Sequence, residues 1–330
     1  MKLSVIIPVY NGAQFINHSY NAIIKQNLKD FEIIYVDNNS VDNSVDLIRA
    51  ICDKDSRVYL YNQRKQGAGA ARNLGIFKAR GEYIYLFDVD DEIYSGALNR
   101  MIHILDDTPQ VEAVFGRMVK SYKCIRETKK PNDETLKVTV RQPPDLGIRW
   151  FSDLKTVVGP PAFLYRKIVF EKIGGYNEHL LVGEDTALDI KLGMTCCVAE
   201  YDAYVYLYRK HELSTSQKAK KQESIIFHTW RRYVLEHLPF YFKHAPSIDY
   251  KRILFQGVFG MMGKLIFYTS GFHKRKDVLK QIPQDITPVK IPFFITVYLY
   301  LLVVMPVKIL LKVYVYWVAR FYVTRKLSHF

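Results

Sequence analysis

After Asp285 the sequence has no acidic residue at all, and it has few cysteines anywhere. The four cysteines, Cys52, Cys124, Cys196 and Cys197, form no CxxC pair and no His/Cys cluster, which excludes a zinc-ribbon or finger framework. Two of them are adjacent on an expected strand and point to opposite faces, so reduced structural thiols of a cytoplasmic protein are expected. The opening Met1–Pro8 segment lacks the long apolar stretch and small-residue cleavage site of a signal peptide. No internal repeat is present. Charged residues are 24% and hydrophobic residues 49%, which excludes global disorder and allows a sizeable core.

The scarcity of acids is local. Residues 1–217 carry 28 basic and 28 acidic residues, whereas 218–330 carry 19 and 5, so the last third holds the whole net charge of +14. A segment of that kind suits a polyanion, either nucleic acid or an anionic lipid surface.

What is present in the first 90 residues is an alternation of strand and helix patterns. Apolar, β-branched runs at Leu3–Pro8, Phe31–Val36, Val58–Tyr61 and Tyr83–Phe87 read as buried strands. Helical spacing separates them: Phe15 to Leu28, a helix capped by Ser40 that carries Val45, Ile48 and Ile51, and Gly69–Ala79. That order predicts an α/β domain with a mainly parallel sheet flanked by helices. Ligands bind such sheets at the carboxyl ends of the strands, where Tyr10–Asn11, Asp37–Asn38 and Asp88–Asp91 fall. Beyond Ser95 come a helix to Leu105, a strand near Val111–Val119, and a mobile loop with a short strand over 123–147. The chain turns helical, basic and aromatic from about residue 218.

Three local patterns carry chemistry. Asp88-Val89-Asp90-Asp91 gathers carboxylates directly after a buried strand, a costly arrangement unless a cation neutralises it. Mg²⁺ or Mn²⁺ suits such oxygen ligands; a solvated acidic turn is the bland alternative. Glu184-Asp185 follows Gly183 at a helix start, where acids commonly complement the helix dipole; the functional alternative makes Asp185 a general base. Gly67–Arg72 imitates a dinucleotide fingerprint, but Arg72 occupies the third glycine position and Asn62–Gln66 detaches the motif from its strand. Arg72 facing a phosphate or nucleotide is the preferred reading.

PVYNG (Pro8–Gly12), VDNNSVDNS (Val36–Ser44), GAARNLG (Gly69–Gly75), DVDD (Asp88–Asp91), GGYNE (Gly174–Glu178), GED (Gly183–Asp185) and YRKHELSTS (Tyr208–Ser216) occur in that order. Over residues 1–216 the chain therefore resembles family 2 glycosyltransferases of the GT-A fold, most closely bacterial enzymes building capsule, lipopolysaccharide or teichoic-acid-type polymers. The resemblance implies an inverting, metal-dependent transfer from a nucleotide-sugar, a UDP-sugar by default, to a glycan or lipid-linked oligosaccharide. It implies donor contacts from Pro8, Tyr10, Asn11, Asp37, Asn38, Arg72, Asp88 and Glu184. Asp90 would bind the metal, His211 would be a further metal or diphosphate contact (in isolation it reads as a core or surface histidine), and Asp185 would be the base. The chain departs from the family at Asp37-Asn38, where two adjacent acids are frequent; an amide can donate as well as accept, so other donor bases stay open.

The expected organisation is a catalytic domain over 1–217 and a basic helical region over 218–330. In the latter, 291–323 is expected to lie on the cytoplasmic face of the plasma membrane. Ile291–Val307 is uncharged but short for a span and holds Pro292 and Pro306, while tyrosines and Trp317 interleave with cations downstream. A buried core helix is the alternative. A nucleic-acid-binding protein leaves the acidic strand end unexplained. A sugar nucleotidyltransferase would need a Gly-rich, Arg-containing loop in place of PVYNG. An inactive scaffold conflicts with intact Asp90 and Asp185.

Overall fold

A computed structural model describes residues 1–211, 225–244 and 246–327. They fall into two compact units, Met1–Gln217 and Lys218–Phe330. Glu212–Ser216 of the YRKHELSTS motif lie outside the described residues.

The first unit is built on one sheet. Strand β1 (Leu3–Val9) is central and almost wholly buried, with β2 (Phe31–Asp37) and β4 (Tyr83–Leu86) parallel to it on either side, and β3 (Val58–Asn62) beyond β2. Helices α1 (Ala13–Ile24), α2 (Ser44–Cys52) and α3 (Ala68–Lys78) make the crossovers. Helix α3 packs closely because Gly75 faces β1: a Cβ there would lie 2.3 Å from Ile6 Cγ2.

The register aligns the strand ends. Val9 pairs with Asp37 and Asp37 with Asn62, so Tyr10, Asn38 and Gln63 leave the sheet on one edge. Strand β4 ends beside Ile6 and delivers Asp88 to that edge. The strand order 3-2-1-4 reverses between β1 and β4, the switch point where such sheets open a crevice.

The other half of the sheet is antiparallel in part. After β5 (Glu92–Ile93) and α4 (Ala97–Asp107) come β6 (Ala113–Ser121), β7 (Val138–Arg141), β8 (Phe163–Arg166) and β9 (Val198–Arg209). Strand β8 is antiparallel to β4 and β6, β9 is parallel to β6, and β5 and β7 lie antiparallel on β9. The sheet as a whole is therefore mixed. Helices α5 (Asp145–Ser152), α6 (Ile168–Ile173) and α7 (Glu184–Thr195) complete the unit.

Local expectations need three revisions. Ser40 does not cap α2, which begins at Ser44; its hydroxyl accepts the Asn11 N–H instead (3.0 Å). Residues 123–147 are anchored: Arg117 pairs with Asp133 and Asp202, and Thr135 donates to Asp202. Cys196 and Cys197 precede β9 rather than lying in it; both are buried and all four cysteines are free thiols.

The second unit is helical. The Ile248–Tyr268 helix, capped by Ser247, runs through its core. Phe255, Phe259 and Met262 are fully buried there, as are Leu299, Leu302, Tyr314 and Val323 from later helices. Tyr314 comes close because residue 263 is glycine, and its hydroxyl donates to the Phe259 carbonyl (2.9 Å). Residues 291–323 form a helix at Phe293–Val304, another at Lys308–Val313, a π-helical turn at Tyr314–Ala319, and the start of the Arg320–Lys326 helix. No helix among the described residues is long and apolar enough to cross a membrane.

Candidate active site

The loops after β1 and β2 are stitched together. The Asn11 N–H donates to Ser40 Oγ, the Gly12 N–H to Ser44 Oγ and the Ala13 N–H to Asp42 Oδ2, each at 3.0 Å. Asn11 returns a bond, its Oδ1 accepting the Val41 N–H (2.8 Å). Asn11 itself sits at φ 50°, a left-handed conformation that asparagine tolerates. The backbone entering α1, and the first N–H group of the helix itself, are thus held by side chains of the second loop.

Asn38 has a different job from the one its position suggests. Its amide nitrogen donates to the Gln63 and Lys65 carbonyls, both at 2.8 Å, and its oxygen accepts the Gly67 N–H at 2.7 Å and Gln66 Nε2 at 3.4 Å. Both donors and both acceptor positions are used, so Asn38 shapes the 63–67 loop and leaves no polar atom for a base. Asp37 is buried and accepts from Asn62 Nδ2 and the Ser40 N–H. Pro8 lies within β1 opposite Val36, and Tyr10 stands 50% exposed at the rim with its ring available.

Arg72 is the centre of the constellation. Its side chain is 7% exposed, donates to Asp88 Oδ1 at 2.8 Å and Glu184 Oε1 at 3.2 Å, and lies over the Tyr176 ring. One cation thereby joins the end of β4 to the start of α7. Asn73 ties the same helix to the GGYNE turn: its Nδ2 donates to the Tyr176 carbonyl and to Glu178, and its Oδ1 accepts the Tyr176 N–H.

Asp185 follows Glu184 in the first turn of α7. Its Oδ1 accepts the Thr186 N–H and hydroxyl, and its other oxygen has no hydrogen-bond partner among the described residues. Burial, with the adjacent Asp185 charge second, pushes Glu184 up to about 7 against the pull of Arg72. One turn further, Asp189 is 1% exposed, and burial raises it well above the usual carboxylate range. Asp189 Oδ2 and the Tyr165 and Tyr176 hydroxyls are buried without hydrogen-bond partners among the described residues. Sequence reasoning missed this acid; the i, i+4 spacing from Asp185 was the available signal.

Asp90 and His211 meet: Nε2 and Oδ2 are 2.5 Å apart, and the imidazole packs on Phe15. Burial first, and the charge of Asp88 second, raises Asp90, with His211 opposing. Asp91 is raised well above normal by burial and by both neighbouring acids, and accepts the Arg209 N–H with one oxygen while the other has no hydrogen-bond partner among the described residues. His211 Nδ1 is likewise buried without a hydrogen-bond partner among the described residues. No three His, Cys, Asp or Glu side chains converge into a complete metal ligand set among the described residues. The Asp90–His211 pair still fits a divalent cation that draws its remaining ligands from phosphate oxygens and water.

The predicted residues thus gather on one edge. Tyr208 links the two groups, since its phenol, pushed up first by burial, feels the charges of Asp91, Asp90, Asp88 and Asp185 together.

Comparisons with known proteins bear on the family and the fold. The family model described as glycosyl transferase family 2 matches residues 4–174. An uncharacterized glycosyltransferase of Haemophilus influenzae is 38% identical over 104 residues, covering 31% of this chain and 42% of that protein. The GalNAc(5)-diNAcBac-PP-undecaprenol beta-1,3-glucosyltransferase of Campylobacter jejuni is 38% identical over 103 residues, 31% of this chain and 33% of that protein. The matched region therefore spans less than half the length of either relative. The crystal structure of S. aureus TarS 1–349 in complex with UDP-GlcNAc superposes with a TM-score of 0.66 at 17% identity, covering 99% of this chain and 92% of that one, a likeness of fold. A family match over residues 4–174 of 330, on a sheet whose strand ends carry this arginine-bridged cluster of acids, means that the chain belongs to glycosyl transferase family 2.

Proposed function

We propose that the first unit transfers a sugar from a nucleotide-sugar, a UDP-sugar by default, to a hydroxyl of a glycan or lipid-linked acceptor, with inversion. The observation that carries this reading is the Arg72 bridge, which sets the β4-end acids and the Glu184-Asp185 turn on one edge of the sheet. Tyr10 offers a ring for the base, and Asp88 lies where the ribose would approach. Asp90 and His211 would hold Mn²⁺ or Mg²⁺, and a carboxylate paired with an imidazole favours the softer Mn²⁺. What the cation supplies when bound is neutralisation of charge on the departing diphosphate. Asp185 removes the acceptor proton through its unengaged oxygen as the new bond forms on the face opposite the leaving group. The undecaprenol in the Campylobacter relative's name supports a lipid-linked acceptor in cell-envelope polysaccharide synthesis, and the UDP-GlcNAc bound to TarS supports a UDP-sugar donor.

A screen of nucleotide-sugars for Mn²⁺-dependent hydrolysis and transfer identifies the donor. With that donor, Asp185→Asn is expected to lower turnover roughly 10²–10⁴-fold with an unchanged melting profile. Wild-type turnover in this variant would overturn the base assignment.

A further inference from the structure

The second unit carries a feature that sugar transfer does not use. From Lys308 the solvent-facing positions recur every four residues as adjacent pairs. Lys308, Lys312 and Arg320 form one exposed row; Ile309, Val313, Trp317 and Phe321 form the row beside it. Tyr316 stands in the cationic row where a fourth cation would fall. The opposite face of the same stretch, Tyr314, Ala319 and Val323, is buried. These outward rows are therefore not a core face that slipped out of register.

The preceding helix repeats the exposed apolar row, without cations. Phe293, Val297, Leu301 and Val304 recur at helical spacing on its exposed side, while Ile295, Leu299, Leu302 and Val303 are buried. Phe293 is 84% exposed, Ile309 71%, Trp317 74% and Phe321 64%, which is far beyond scattered surface apolars.

We propose that this surface lies in the headgroup boundary of an anionic lipid bilayer, in the plane of the membrane. Large apolar side chains flanked by lysines and arginines, on helices too short to span, match the physical requirements of that zone. Charge selects the occupant. No acid follows Asp285, so a second copy of this surface would bring like charges together. A nucleic acid would engage the cations and leave Ile309, Val313 and Phe293 in water.

The tryptophans supply a built-in reporter. Of the three, Trp150 and Trp230 are buried and Trp317 alone is exposed. The test mixes the full chain with vesicles of phosphatidylglycerol and phosphatidylcholine, or of phosphatidylcholine alone, some carrying bromine on the acyl chains. The expected result is co-sedimentation with anionic vesicles, a blue shift of the fluorescence, and quenching by brominated chains. Lys308→Glu/Lys312→Glu/Arg320→Glu should weaken binding roughly 100-fold or more. Trp317→Ser/Phe321→Ser should weaken it about 10-fold or more, with an unchanged melting profile because both side chains already face solvent. Three results would each overturn the proposal. One is no vesicle binding. Another is wild-type binding without bromine quenching, or binding undiminished in the apolar variant, which is adsorption to any polyanion. The third is lipid-free self-association that shields Trp317. The assay uses no sugar donor, so its failure leaves the proposed transfer standing.

Discussion

Replacing Arg72 by methionine removes one buried cation and leaves two carboxylates, Asp88 and Glu184, facing the space it filled. Methionine keeps much of the volume and a contact with Tyr176, so the change is mainly electrostatic. Breaking a buried pair by deleting one partner costs about 3–5 kcal/mol. For a unit of this size that corresponds to a fall in melting temperature of roughly 6–20 °C. The pH dependence gives a sharper check. Glu184 already sits up at about 7, above its unfolded value, so the folded state holds a proton that the unfolded chain has lost. Stability from this group is therefore full at acid pH and declines as pH rises through that interval. Without Arg72 the decline must extend higher, because the guanidinium charge opposing it is gone. The melting difference between wild type and Arg72→Met should thus be larger at pH 8 than at pH 5.5. Adding Glu184→Gln to Arg72→Met should restore part of the loss, since it removes an uncompensated carboxylate. Thermal melts of the four proteins at both pH values decide the matter. A pH-independent gap, or strict additivity in the double variant, would refute the bridging role.

Asn38→Asp, which restores the acid frequent in the family, should destabilise the protein by at least about 2 kcal/mol, because a carboxylate would face the Gln63 and Lys65 carbonyls; a melting profile like wild type would show that the 63–67 loop does not depend on this amide. Gly75→Ala should cost about 1–3 kcal/mol through overpacking against Ile6, measured by denaturant midpoint, and a neutral result would contradict the tight α3–β1 packing. For Asp90→Ala, donor affinity by calorimetry should be the same in Mn²⁺ and in EDTA; retained metal dependence would place the cation elsewhere.

The parallel half of the sheet was legible because its strands are short apolar runs separated by helical periodicities, and strand ends then place Tyr10, Asp37 and Asp88 without coordinates. The antiparallel half was not, since β4 pairs with β8 across some 80 residues and nothing local encodes that partner. Ser40 looked like a cap because caps are read from the following residues, whereas its actual partner, Asn11, lies 29 positions earlier. Motif spacing places candidate residues at the strand ends, yet it does not give the direction of an amide, and Asn38 turned inward. Arg72 read as facing a nucleotide; its bond to Glu184, 112 positions away, shows it first as a clamp on the protein's own acids.

The cross-braced loops after β1 and β2 carry a consequence for engineering. Asn11, Gly12 and Ala13 bond to Ser40, Ser44 and Asp42, and Val41 to Asn11, so each loop is shaped in part by the other. Exchanging one of them for a relative's segment would leave donors and acceptors stranded on both. Any transplantation of this edge of the sheet has to move residues 10–13 and 38–44 as a single cassette.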